Sequence, residues 1–304
     1  MDMVQKNVTV IIPSFNRAHI LYKTIPSYIQ DVTLEVIVVD DGSDDYTQKA
    51  VANLQRKYKE IKYIRLKRHR GLPSAKNVGV QKANGKYIFF GDDDACLYPG
   101  TLLRLRNAIE NYPADIAAAN GSYASEWKQI QNMDKYIAEQ FIEPFHKKCV
   151  MDFNTGKIKF SYRYEKITEG LCIMACFMIK AELAKEEKFD KSYIGNAARE
   201  DIDFHIRQAK KGRKMVYVPD AYEIDIPQNM VKGGGCHSMK LWKIILYTIN
   251  NHKLLLNRHY DYLRQEGYIS ISKNMAMQLL IRDIAKDVAT LWKFRFMNFI
   301  RLFK

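Results

Sequence analysis

The chain has 304 residues, 47% hydrophobic and 27% charged, enough apolar matter for a sizeable core and too much for global disorder. Its formal net charge of +14 points to an anionic partner, whether nucleic acid, an acidic membrane surface or a phosphorylated substrate. The five cysteines, Cys96, Cys149, Cys172, Cys176 and Cys236, include no CxxC pair, which argues against zinc and for free thiols in a reducing cytosol.

The N-terminal MDMVQKNVTVII has no basic n-region and no cleavage site, so no signal peptide is expected. No run of roughly 18 apolar residues predicts a membrane-spanning helix. The first predicted strand is VTVII, Val8 to Ile12, followed by LEVIVVD (Leu34 to Asp40), IKYIRL (Ile61 to Leu66) and KYIFF (Lys86 to Phe90). Helices are predicted between them, roughly over Ala18 to Gln30, Tyr46 to Lys59 and Ser74 to Ala83. Continuous apolar strands separated by helices indicate an α/β fold with a mostly parallel sheet covered on both faces.

Pro99 opens a further helix, TLLRLRNAIENY, and ADIAAA reads as another strand. From Asn120 to Glu169 the pattern is irregular. The segment EDIDFHIRQAKKG reads as a helix with Ile202, Ile206 and Ala209 on one face and Gly212 as its stop. KMVYVPDA reads as a strand that its proline ends. From Ile226 the character changes to the glycine-rich QNMVKGGGCHSMK and then to basic, helical sequence, so we expect a catalytic domain over 1–225 and an extension over 226–304.

In open α/β sheets ligands bind beyond the carboxyl ends of the strands. Three polar clusters fall there. PSFNR supplies Pro13, Ser14, Asn16 and Arg17, suited to a ribose and phosphates; DDGSDD supplies Asp41, an acceptor for a base N–H or a ribose hydroxyl. Both also read as ordinary turn and cap chemistry. The third cluster, Asp92, Asp93 and Asp94, ends an apolar strand and offers the hard oxygens that Mg²⁺ or Mn²⁺ prefers. There is no GxGxxG after the first strand and no GxxxxGK[ST], so a phosphate here would be bound through metal rather than by a glycine cradle. Glu200 and Asp201 start a helix, where a carboxylate serves either the helix terminus or general base catalysis. His237, in the glycine-rich loop, is a candidate metal ligand or phosphate contact.

The ordered series VTVIIPSFNRA, VIVVDDGSDD, GLPSAKNVGVQKANGKYIFFGDDDACLYPGTL, FDKSY and REDIDFHIRQAKKGRKMVYVPDA resembles family 2 glycosyltransferases of the GT-A fold, over roughly Val8 to Ala221. The resemblance implies an inverting enzyme that takes a nucleotide-activated sugar, a UDP-sugar being favoured, and uses Mn²⁺ or Mg²⁺. It implies Asp41 on the base, Asp92 and Asp94 as the DxD pair with Asp94 the metal ligand, Asp201 as catalytic base and His237 completing the metal site. Pro13, Ser14, Asn16, Arg17, Lys76, Asp92, Asp93 and Glu200 are carried with Asp41 as donor-binding residues. Two positions depart from the pattern. Lys76 stands where many relatives have arginine and lacks its bidentate fork, and Ala95 stands where a further aspartate is common.

The tail, LWKFRFMNFIRLFK, interleaves Trp292, Phe294, Phe296, Phe299 and Phe303 with Lys293, Arg295, Arg301 and Lys304. It suits either an interfacial helix on anionic lipid or a helix packed on the domain. Membrane contact would make a glycan or lipid-linked acceptor plausible, with the protein cytoplasmic and peripheral on the membrane's cytoplasmic face. Two competing readings are a basic nucleic-acid-binding protein and a sugar-phosphate nucleotidyltransferase. The chain has no RRM, KH or helix-turn-helix signature, so no nucleic-acid partner is expected, and PSFNRA is not a nucleotidyltransferase loop.

Overall fold

The computed structural model describes residues 5–139, 149–158, 165–172, 175–234 and 238–301, with the backbone alone over 291–301. Its strands are β1 (Val8–Ser14), β2 (Thr33–Asp40), β3 (Ile61–Arg65), β4 (Tyr87–Phe90), β5 (Ala95–Leu97), β6 (Ile116–Tyr123), β7 (Met151–Asp152), β8 (Lys157–Ile158), β9 (Thr168–Glu169), β10 (Phe177–Lys180) and β11 (Met215–Asp225). Its α-helices are α1 (Leu21–Thr24), α2 (Thr47–Gln55), α3 (Leu72–Lys82), α4 (Thr101–Asn111), α5 (Trp127–Gln131), α6 (Met133–Glu139), α7 (Ala181–Glu186), α8 (Glu200–Lys210), α9 (Leu241–Gln265) and α10 (Lys273–Arg301).

One sheet runs β3-β2-β1-β4-β10-β6-β11-β5, with β9 along β11, while β7 and β8 form a separate hairpin. The expected parallel half is present: β1 pairs in parallel with β2 and β4, and β2 with β3. The other half is mixed, because β10 enters antiparallel between β4 and β6. β1 and β4 are buried along their whole lengths, which is why they read as largely apolar runs without in-out alternation. Each fully buried Val or Ile there stabilises the fold by about 1.5–3 kcal/mol. Gly79 lets α3 lie close on β1, since a Cβ there would sit 2.5 Å from the Ile11 side chain.

Two expectations are corrected. The single helix predicted over Ala18 to Gln30 is instead α1 followed by a 3₁₀ turn, Ile25–Tyr28. Pro26 sits in the first turn of that 3₁₀ segment and has no N–H to continue an α-helical ladder. The last core strand does not stop at Pro219: β11 continues to Asp225 through a register shift between Tyr217 and Tyr222. The buried Asn120 amide donates to the carbonyls of Val218, Pro219 and Ala221 at 2.9–3.0 Å, so the irregular turn keeps its acceptors paired.

Candidate active site

The loop after β1 is fixed by Asn16, which holds a left-handed φ of 56°. Its N–H donates to Ser43 Oγ at 2.9 Å and its Oδ1 accepts from the Asp44 N–H at 3.0 Å. Asn16 therefore ties the loops after β1 and β2 together instead of lining the cleft between them. Such off-basin backbone persists where the surroundings hold it.

That cleft has a volume of about 270 Å³ and is lined by Pro13, Ser14, Arg17, Asp41 and the three aspartates, all brought together as the sequence predicts. Asp41 accepts from the Arg70 and Gly71 N–H groups at 2.8 and 2.7 Å and meets His69 Nδ1 at 2.9 Å. The His69 ring lies 4.2 Å from that of Phe15, giving the cleft an aromatic wall. Ser14 Oγ donates to Asp93 at 2.7 Å, and Arg17 Nη2 lies 3.2 Å from Asp94. Arg17 is buried, and its Nε and Nη1 have no hydrogen-bond acceptor. Its Nε lies 3.6 Å from Asp93 Oδ1, so the guanidinium sits between two of the three aspartates on the cleft wall.

A second cavity of about 260 Å³ adjoins the first, and Leu72, Asp92 and Ala197 line both. Lys76, Glu200 and Asp201 line the second. Lys76 Nζ donates to Glu200 Oε1 at 2.5 Å, and both side chains are buried. Burial pushes the Glu200 carboxyl up to about 7 against the pull of Lys76. Asp201, in the first turn of α8, is only partly buried. Before it stand two more left-handed residues, Ala197 (φ 51°) and Arg199 (φ 78°), the second donating from Nη2 to the Gly156 carbonyl at 2.6 Å.

The acidic cluster is larger than the sequence predicts. β11 carries Glu223 and Asp225 alongside β5, opposite Leu97 and Ala95. The Tyr28 hydroxyl donates to Glu223 and accepts from the Asp92 N–H at 3.2 Å. Burial, reinforced by the neighbouring acids, pushes Asp92 up to about 6, Glu223 up to about 8, and Asp225 well above the usual range. Sequence reasoning missed Glu223 and Asp225 by ending the strand at Pro219. Their spacing of two, which puts both on one face of a strand, was the available signal.

These carboxylates fit a divalent cation by donor type: hard oxygens crowded together, with the charge of Asp92 opposed by Lys76 and then Arg17 and that of Asp93 by Arg17. Among the described residues no three acidic, histidine or cysteine side chains close on one point. A cation here would thus draw its remaining oxygens from substrate and water, as Mg²⁺ commonly does. His237 lies outside the described residues.

The profile of Glycosyl transferase family 2 matches residues 9–187, more than half of the chain. The chain belongs to that family. It is 32% identical over 195 residues to the GalNAc(5)-diNAcBac-PP-undecaprenol beta-1,3-glucosyltransferase of Campylobacter jejuni, a match covering 63% of this chain and 57% of that enzyme. Among solved structures it resembles GalNAc-T7 with UDP, GalNAc and Mn²⁺, at a TM-score of 0.61 and 15% identity, covering 94% of this chain and 58% of that one. It also resembles the Pyrobaculum calidifontis mannosyltransferase PcManGT with GDP-Man and Mn²⁺, at a TM-score of 0.58 and 17% identity, covering 94% and 76%. The fold of this family 2 chain is therefore the mixed α/β GT-A architecture of those glycosyltransferases.

Proposed function

We propose that this family 2 protein transfers a sugar from a nucleoside diphosphate sugar, a UDP-sugar being favoured, to a hydroxyl of a lipid-linked glycan, with inversion. The observation that carries this reading is the pair of cavities meeting at Asp92, one lined by Arg17 and Asp41 and the other by Asp201. The lipid-linked acceptor is taken from the undecaprenol-linked substrate named for the Campylobacter relative.

In this reading Phe15 and His69 flank the nucleobase, and Asp41, already aligned by its N–H donors, accepts from the base or ribose. Arg17, which lines the cleft, supplies a positive charge beside the diphosphate. Mn²⁺ or Mg²⁺, held by Asp94 and Asp92, would act when bound as a Lewis acid toward the leaving diphosphate. Asp201 accepts the proton of the acceptor hydroxyl as its oxygen attacks the anomeric carbon. The bond to the diphosphate oxygen breaks on the opposite face, and the electron pair leaves with the nucleotide. The Lys76–Glu200 pair holds the start of α8, and so Asp201, in place.

A thermal-shift screen of UDP-, GDP- and dTDP-sugars with Mn²⁺ or Mg²⁺, followed by donor hydrolysis on the hits, tests this. We expect a UDP-sugar to stabilise the protein only with the metal. Absence of a shift with every nucleotide sugar would contradict the reading.

A further inference from the structure

Among the described residues no helix is long and apolar enough to cross a membrane. We propose that the outward face of the first turns of α9 is a docking surface for an anionic lipid bilayer. Leu241, Trp242 and Leu246 are 48%, 58% and 47% exposed, unusual for large apolar side chains grouped at one helix end. Trp242 and Leu246 stand one turn apart and adjoin on the helix. Exposed Lys240 and Lys243 border them, and Lys243 Nζ lies 5.6 Å from the Trp242 ring centroid. An indole with apolar neighbours and a lysine rim matches the boundary between headgroups and acyl chains.

Charge along the chain points to the same occupant. Between Asp225 and Asp261 there is no acidic residue, while exposed Lys232, Lys240, Lys243 and Lys253 fall in that interval; Arg258, also within it, is paired with Asp190. A basic patch of this kind is attracted to an anionic leaflet and disfavours a second copy of itself. The three exposed apolar side chains gain little from a nucleic-acid phosphate backbone and much from a bilayer.

The inward side of α9 holds the loop between the two cavities. Asn251 Nδ2 donates to the Ile194 carbonyl at 3.0 Å, and Asn196 Nδ2 donates to Thr248 Oγ1 at 2.8 Å. The Tyr247 ring packs so closely on Gly195 that a Cβ there would stand 2.2 Å from it. Docking through α9 would therefore bring the loop bordering Asp201 next to the lipid surface. Only this use of the surface rests on the lipid-linked acceptor proposed above; the binding itself does not.

The test is co-sedimentation of the full chain with phosphatidylcholine vesicles and with vesicles containing phosphatidylglycerol. We expect binding to the anionic vesicles alone, falling about tenfold or more in the double variant Trp242→Ser, Leu246→Ser. Unchanged thermal stability in the variant shows that it folds. A second variant, Trp292→Ser with Phe296→Ser, probes the tail. Undiminished binding of the α9 variant, including loss confined to the tail variant, would overturn the proposal, as would no binding by the parent protein. If binding depends on Trp242 and Leu246 but no lipid-linked acceptor is used, the docking surface stands and the acceptor assignment fails.

Discussion

Lys76 and Glu200 show how burial decides a residue's part. Their direct contact, 2.5 Å long, ties Lys76 to one Glu200 oxygen, while Glu200 Oε2 is buried without a hydrogen-bond partner. Burial lowers the Lys76 ammonium, but the nearby carboxylates outweigh it and its pKa is raised, so the cation persists. Removing one partner strands a charge in the interior. Lys76→Met should destabilise the protein by about 3–5 kcal/mol in urea unfolding, and Lys76→Met with Glu200→Gln should recover most of it. An equal loss in both would show that packing, and not the pair, is responsible. Asp94 belongs to the same scale. Asp94→Asn should abolish the dependence of donor affinity on Mn²⁺, as should a chelator in the parent protein; titration calorimetry with and without metal checks this.

At the scale of elements, a clasp joins α8, the helix that carries Asp201, to α9. Asp203 is fully buried on α8 and takes contacts from Tyr193 Oη at 3.1 Å, His259 Nε2 at 2.9 Å and Arg207 Nε at 2.8 Å. Burial raises its carboxyl, but the His259 and Arg207 contacts prevail and hold it below the ordinary carboxylate range. A depressed folded-state pKa contributes stability above the unfolded pKa, lost as pH falls through the folded value. Asp203→Asn should therefore lower Tm at pH 7 and narrow that gap progressively below about pH 4. A constant gap across pH would contradict the assignment. Asn251→Leu, one layer closer to the loop before Asp201, should reduce kcat more than it raises the donor KM, because the Ile194 carbonyl loses its donor.

The same scale explains what was legible in the sequence. β1, β2 and β4 were readable because burial on both faces makes them mostly apolar, the polar residues in their interiors, Thr9 and Glu35, being buried against each other. Loops ending such strands must converge at one sheet edge, so Ser14, Arg17, Asp41 and Asp92 were readable as a group. The residues that escaped depend on tertiary pairing. Pro219 is a strand terminator locally, and partners distant in sequence, the Asn120 amide and the pairing with β6 and β5, carry β11 past it to Glu223 and Asp225. His69 escaped because nothing local says that its loop folds over Phe15.

For the whole molecule, the formal charge of +14 is unevenly spent. The cleft is acidic and calls for a cation, while the stretch from Pro227 to Tyr260 carries no acid at all. Membership of a glycosyltransferase family leaves the nucleic-acid reading of that charge with no observation in its favour. The polarity suits a protein that holds an anionic donor beside an anionic surface. Measured release of nucleotide from the donor sugar, with acceptor-bearing membranes present and absent, compares the parent protein with Asp201→Asn most directly. The account predicts that the variant binds donor with unchanged affinity while acceptor-dependent release falls about 10²- to 10⁴-fold. Release by the variant at the parent rate would contradict it.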